Sequence, residues 1–197
     1  MRQNRGLYIA AAVFLLAAAI YFFADKNGRP PVVTPSPQPS PVVGLGASQV
    51  QQVVIHARGK VLTLARQGTA WTYSVCPDGQ SDCPVNPADQ SLSLQYIQAL
   101  TELRPVHVVY GAPEGLPAYG VDKPTGGELD IRSTSGRQVT VLVGGKSTDG
   151  ASYFLRRQDS QNILTVATTT VDGQLLALVD RPPVPAPSPA PAPSTSP

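Results

Sequence analysis

Fourteen of the 21 prolines in this 197-residue chain stand in two clusters, six between Pro30 and Pro41 and eight between Pro182 and Pro197. Proline lacks an amide hydrogen and has a fixed φ, so neither cluster suits a helix interior or a central strand. The foldable part is confined between them. Ser48 to Arg181, 134 residues, is one domain of ordinary size, long enough to bury a core. The first cluster belongs to a linker expected over residues 25–47, and the second to a tail expected over 182–197. Rich in Pro with Ser, Gly or Ala, both lack the apolar content that would offset ordering entropy, and both read as disordered. In polyproline II form the linker would reach roughly 75 Å. The tail carries a second reading as a proline-rich ligand or stiff wall-contacting element.

Residues 6–24, GLYIAAAVFLLAAAIYFFA, run without a charge. As a helix they would span roughly 28 Å, close to a hydrocarbon core of about 30 Å. Tyr8 at one end and Tyr21, Phe22 and Phe23 at the other suit the two interfaces, while Arg2 and Arg5 make the leading flank the more positive. The expectation is a single-pass anchor over residues 1–24 with its N-terminus cytoplasmic and the rest of the chain outside, periplasmic or extracellular. A cleaved signal peptide ending near Ala17-Ala18-Ala19 is the competing reading. Both export the domain.

Cys76 and Cys83, the only cysteines, bracket the polar loop CPDGQSDC, whose Pro77, Asp78 and Gly79 are turn formers. A disulfide is expected, in keeping with export. Metal binding would need further Cys or His partners, and His56 and His107 lie far apart in sequence. Within the domain eleven Lys and Arg face twelve Asp and Glu, a net charge of −1. No basic face is available to displace counterions from phosphates, so no nucleic-acid partner is expected.

Periodicity supplies the elements. Val53 and Ile55, Leu62 and Leu64, and Trp71, Tyr73 and Val75 alternate between turns at Arg58-Gly59-Lys60 and Gln67-Gly68, which predicts a three-strand meander. Asn86-Pro87-Ala88-Asp89 reads as an N-cap followed by a proline at the first helical position, and Leu92, Tyr96, Ile97, Leu100 and Leu103 recur at helical spacing up to Pro105. The plan then repeats. Leu129 and Ile131, then Val139, Val141 and Val143, then Tyr153 and Leu155, then Leu164 and Val166 mark four strands, and Val171, Leu175, Leu178 and Val179 mark a closing helix. The fold class expected is α+β, two antiparallel meanders each followed by a helix, with halves at about 48–104 and 126–181 and a possible internal duplication.

In chain order, Trp71-Thr72-Tyr73, the helix opening at Ala88-Asp89, the stretch Leu116-Pro117-Ala118-Tyr119-Gly120-Val121-Asp122-Lys123-Pro124, then Leu142-Val143-Gly144, Gly150 and Tyr153-Phe154-Leu155 carry a resemblance. The chain resembles the bacterial domain of unknown function 4340 family over most of Ser48 to Arg181. The resemblance implies a membrane-tethered, exported protein, some relatives of which accompany ABC-type transporter components. It transfers no catalytic residue.

Gly144-Gly145-Lys146-Ser147 lacks the first glycine of a phosphate-binding P-loop, Thr140 standing in its place, and a strand rather than a helix follows. No nucleotide is expected. No G-x-S-x-G is present, and His56 and His107 alternate with valines and isoleucine as strand residues do. Asp122, Glu128 and Asp130 are close enough in sequence to leave two-carboxylate chemistry open. Tyr119, Gly120 and Pro124 lie in the connection between the halves, as an interaction surface or as a turn packed between the units. These patterns assign no catalytic, cofactor-binding or metal-binding residue and no cofactor. They favour a membrane-anchored extracytoplasmic interaction module with a protein partner in the cell envelope, an accessory subunit rather than an enzyme. The alternative is an envelope enzyme or glycan-binding domain.

Overall fold

The computed structural model describes residues 39–111 and 116–185. The segment expected to anchor the chain, most of the linker and the end of the tail lie outside them. Among the described residues, no helix is long and apolar enough to cross a membrane. The strands are β1 (Val50–Ala57), β2 (Lys60–Gln67), β3 (Ala70–Pro77), β4 (Asn86–Pro87), β5 (His107–Val109), β6 (Gly127–Ser133), β7 (Gln138–Lys146), β8 (Ser152–Arg157) and β9 (Ile163–Ala167). Helix α1 spans Gln90–Thr101, the short α2 spans Leu116–Tyr119, and a closing helix, α3, covers 168–180.

Among the described residues, nine strands join one antiparallel sheet in the order β4-β3-β2-β1-β6-β7-β8-β9-β5. The two meanders are therefore not separate bodies. Their first strands pair with each other, placing Val53 opposite Ile131 and Ile55 opposite Leu129. Burial decides this seam, because β1 and β6 each present an apolar side, and edge-to-edge pairing turns both sides toward the same helices. Val53, Ile55, Leu62, Leu64, Trp71, Leu129, Ile131, Val139, Val141, Val143 and Leu155 form one cluster with Ile97, Leu100, Val171 and Leu175. The result is two layers, a sheet with α1 and α3 on one face.

Alternation assigns the opposite, outer face by register. Ser74, Thr63, Val54, Asp130 and Thr140 lie side by side in one row across β3, β2, β1, β6 and β7. A second row holds Cys76, Val61, His56, Glu128, Leu142, Arg156, Ile163 and Val109.

Three local expectations are corrected. Asn86-Pro87 is not the start of α1; it is β4, paired with Thr72 and Tyr73, and the N-cap is Asp89, whose carboxylate accepts the Leu92 amide at 2.9 Å. The helix consequently buries Ser93, Ile97 and Leu100 and leaves Leu92 37% exposed. The linker expected to run through residue 47 stops earlier: Val42, Val43 and Leu45 are buried, Val42 donates its amide to Leu103 O at 2.7 Å, and Arg104 Nη1 bonds Pro39 O. Three apolar side chains among prolines suffice to dock that stretch. The tail likewise begins later than residue 182, since Pro183 is buried and its carbonyl accepts the Asp89 amide at 2.8 Å.

α3 is π-helical over Val171–Leu176 and α-helical on either side. The wider turn lets Leu175 and Leu176 both bury together with Val171, Leu178 and Val179. Its last residue, Asp180, sits at the negative end of the helix dipole, where a carboxylate is disfavoured. Arg58 and Lys60, flanking the β1–β2 turn, both ion-pair with it.

Arg58 first and Lys60 second hold the Asp180 carboxyl below the ordinary carboxylate range, and the Leu92 amide and then the Ser91 hydroxyl do the same for Asp89. A carboxylate depressed in the folded state contributes stability that is fully present above its unfolded pKa and disappears as pH falls through the folded value. The domain should therefore keep its melting temperature from neutrality to about pH 5 and lose it progressively below about pH 4. Asp180→Asn should flatten that fall; an unchanged pH profile in the variant would remove Asp180 from the account.

Candidate functional site

The connection between the halves is laid on the outer face of the second half only. Tyr119, at the end of α2, meets Phe154 of β8 edge-to-face with ring centroids 4.8 Å apart, and Val121 is fully buried. Gly120 turns the chain with φ +66, a region that favours glycine, and a Cβ there would lie 3.0 Å from Gly145 N. Gly144 on β7 is closer still: a Cβ would fall 2.2 Å from Tyr119 O and 2.7 Å from Val121 Cγ1. The residues that carry the resemblance, Tyr119-Gly120-Val121 and Val143-Gly144, are thus two sides of one backbone contact. Tyr119 packs within the second half, not between halves. Pro124, by contrast, is exposed.

Pro124 stands at the rim of a concavity of about 460 Å³, shared with His56, Arg58, Asp78, Thr125 and Glu128. Next to it on the outer face, Gln52, Val54, His56, Asp130, Arg132 and Gln138 line a smaller one of about 270 Å³. Asp130 accepts hydrogen bonds from Thr140 Oγ1 and, at 3.3 Å, from Gln138 Nε2. Beyond this seam the outer face of β1 to β3 shows the half-buried small side chains Val54, Thr63, Ala65, Thr72 and Ser74. Among the described residues, no helix covers it.

The two histidines are far apart. His56 on β1 and His107 on β5 are five strand spacings from each other, about 24 Å at the usual separation. Of the three carboxylates considered above, Glu128 and Asp130 share the outer face of β6 and Asp122 is exposed in the preceding turn. Among the described residues, no group of three or more His, Cys, Asp or Glu is arranged to hold a metal ion.

A polar cluster that periodicity misses joins β7, β8 and α3. Lys146 and Tyr153 face each other across the β7–β8 pair. Tyr153 Oη donates to Asp172 Oδ1 at 2.9 Å, Lys146 Nζ donates to Asp172 Oδ2 at 3.3 Å, and the ammonium lies 5.0 Å from the centre of the tyrosine ring. The neighbouring Tyr153, then the hydrogen bond to Asp172, raises the Lys146 pKa; burial, then the bond to Asp172, raises that of Tyr153. Both groups hold their protons at neutral pH, which suits a clamp for the π-helical turn and not a base. Only the Lys146–Tyr153 pairing was open to a sequence signal, through hairpin register.

Cys76 and Cys83 are disulfide-bonded, with Cα atoms 5.7 Å apart, inside the usual range. The bond closes the loop between β3 and β4. Reduction should lower stability by about 2.5 kcal/mol at most, the chain-entropy value for so short a loop. Non-reducing alkylation should modify neither thiol. Two freely alkylated thiols in protein recovered from cells would overturn the pairing.

The arrangement defines a class first, a two-layer α+β protein whose single sheet carries α1 and α3 on one face and, on the other, a polar surface covered in part by the segment that contains α2. Within that class the chain belongs to the family described as Domain of unknown function (DUF4340), which it matches over residues 80–182. The matched stretch runs from the disulfide loop to the end of α3. It leaves out β1 to β3, so Trp71-Thr72-Tyr73 falls outside it, although these strands complete the same sheet. No curated protein and no solved structure matches the chain.

Proposed function

We propose that the chain is an exported, membrane-anchored interaction module, non-enzymatic, that serves as an accessory subunit of an envelope complex of the ABC-transporter kind. The observation that carries this reading is the asymmetry of the outer face. Residues 116–126 cover it over the second half, while over β1 to β3 it is an open row of Ser74, Thr63 and Val54, the last lining the concavity it shares with His56. An open surface of small side chains suits docking of a folded partner better than enclosure of a small substrate. The anchor is residues 6–24 and the spacer the proline-rich stretch that follows, both read from the sequence.

The two halves are read as copies of one unit, β1 to β4 with α1 and β6 to β9 with α3, meeting at β1–β6 so that both helices fall on the same face. Superposing the halves tests this; a fit no better than that of two unrelated meanders would end it.

A photo-crosslinking residue at Thr63 or Val54 in native membranes should trap one discrete protein, and the same residue at Gln95 on α1 should not. Deleting residues 30–38 should impair the biological role while the domain melts as before, because a spacer contributes reach. If that deletion were silent while Asp122, Glu128 or Asp130 substitutions abolished the role in a stably folded protein, the enzymatic reading would replace this one.

A further inference from the structure

The two edges of the sheet are unequal. β4, at one end, is two residues long and closes in Pro87, whereas β5, at the other, stands beside an open groove of about 470 Å³ on the helix side of the sheet. Val108 and Leu164, opposite each other in the β5–β9 pair, form part of its floor, and Tyr110, 80% exposed, stands at its rim. Its two charged residues, Arg157 and Asp159, are ion-paired with each other. What the groove leaves to be covered carries no net charge. Another wall is the chain's own entry into the fold. Pro39, Ser40 and Pro41 line it; Arg104 Nη1 holds the Pro39 carbonyl at 2.9 Å, and Val42 donates its amide to Leu103 O at 2.7 Å. The residues that precede Pro39 therefore join the described structure at this groove.

We infer that the groove is occupied by the chain's own linker, residues 35–38, Pro-Ser-Pro-Gln, which continue from Pro39 and lay their proline rings against Val108 and Tyr110. Prolines at 35, 37, 39 and 41 remove every second amide hydrogen, so the segment can lie on an apolar floor with few donors left unpaired. Their fixed φ holds it extended before it docks, which lowers the ordering cost. Proline-rich extended segments dock on aromatic-lined grooves for this reason. Residues 30–43 carry no charge, as a groove with its own charges already paired requires. Attachment selects this stretch over the proline-rich tail. The linker is joined to a wall of the groove, at an effective concentration in the millimolar range; the tail departs beyond Pro183, whose carbonyl is held by the Asp89 amide at the start of α1, a helix length of roughly 18 Å from the Leu103 end.

The docking does not depend on the function proposed above, but with residues 6–24 as an anchor it would leave residues 25–34 as the free spacer, roughly 31 Å at full polyproline II extension. The domain would hang from its β5 edge. Four surface residues add little to a closed core, so proximity and accessibility read the contact and melting does not. In the purified full chain, a photo-crosslinking residue in place of Tyr110 should link to residues 35–38 of the same chain. The same residue in place of Glu102, exposed and two positions from the Arg104 that holds Pro39, should link to them about fivefold less. Mixing isotope-labelled with unlabelled chains separates links within a chain from links between chains. P35D/P37D, which restores two amides and adds two charges, should cut the link from position 110 by about fivefold and raise the rate of Tyr110 nitration in the otherwise native chain by a similar factor, with melting unchanged. Links spread evenly over residues 25–38 from both positions, links to the tail, links between chains, or a nitration rate indifferent to P35D/P37D would each overturn the inference.

Discussion

Replacing Val42, Val43 and Leu45 together by serine in the full chain should destabilise the domain by about 5 kcal/mol, a large part of the 5–15 kcal/mol typical of a whole domain. All three side chains are at most 9% exposed, and full burial of each contributes about 1.5–3 kcal/mol. They sit where the chain enters the fold, against the loop that follows α1, held by the Val42 to Leu103 backbone bond. Urea titration measures the loss. The neighbouring Pro37 and Gln38 lie outside the described residues, so the comparison that isolates the effect is serine at Ser40's neighbours Pro39 and Pro41, where little should change. A triple variant as stable as the parent would mean that the domain does begin at Ser48.

Gly144→Ala should cost about 3 kcal/mol, and Gly145→Ala next to it less than about 0.5 kcal/mol. The difference is geometric. At Gly144 the new Cβ would lie 2.2 Å from a backbone oxygen, Tyr119 O, which can move only if residues 116–126 lift off the sheet. At Gly145 the nearest atom is 3.8 Å away, an ordinary contact. Limited proteolysis should therefore cut the Gly144 variant within 116–126 and spare the other. Equal melting temperatures for the two variants would show that this segment does not rest on β7.

Much of this architecture can be read from local pattern. The alternation of Val53 and Ile55, of Leu62 and Leu64, and of Val139, Val141 and Val143 names strands and their buried sides, because a strand with one face on a core shows a period of two. Turn residues end them, and the spacing of Val171, Leu175, Leu178 and Val179 marks a helix even though a π-helical turn interrupts it. The cysteine pair is legible for a similar reason, since a short loop of turn formers brings its own ends together.

What no local pattern contains is which strands from the two halves become neighbours. The β1–β6 seam, the single sheet and the unequal edges follow from burying two apolar faces under the same pair of helices, a condition on the whole chain. The Asp172 link to Lys146 and Tyr153 and the Asp180 link to Arg58 and Lys60 are long-range for the same reason. So is the role of Gly144: the sequence by itself marks a glycine after a strand, but only the tertiary structure supplies the Tyr119 carbonyl that leaves no room for a Cβ. Val42, Val43 and Leu45 show the limit most directly. By composition they belong to a spacer, and they enter the core because the fold leaves an apolar site beside the end of α1 that three side chains can fill.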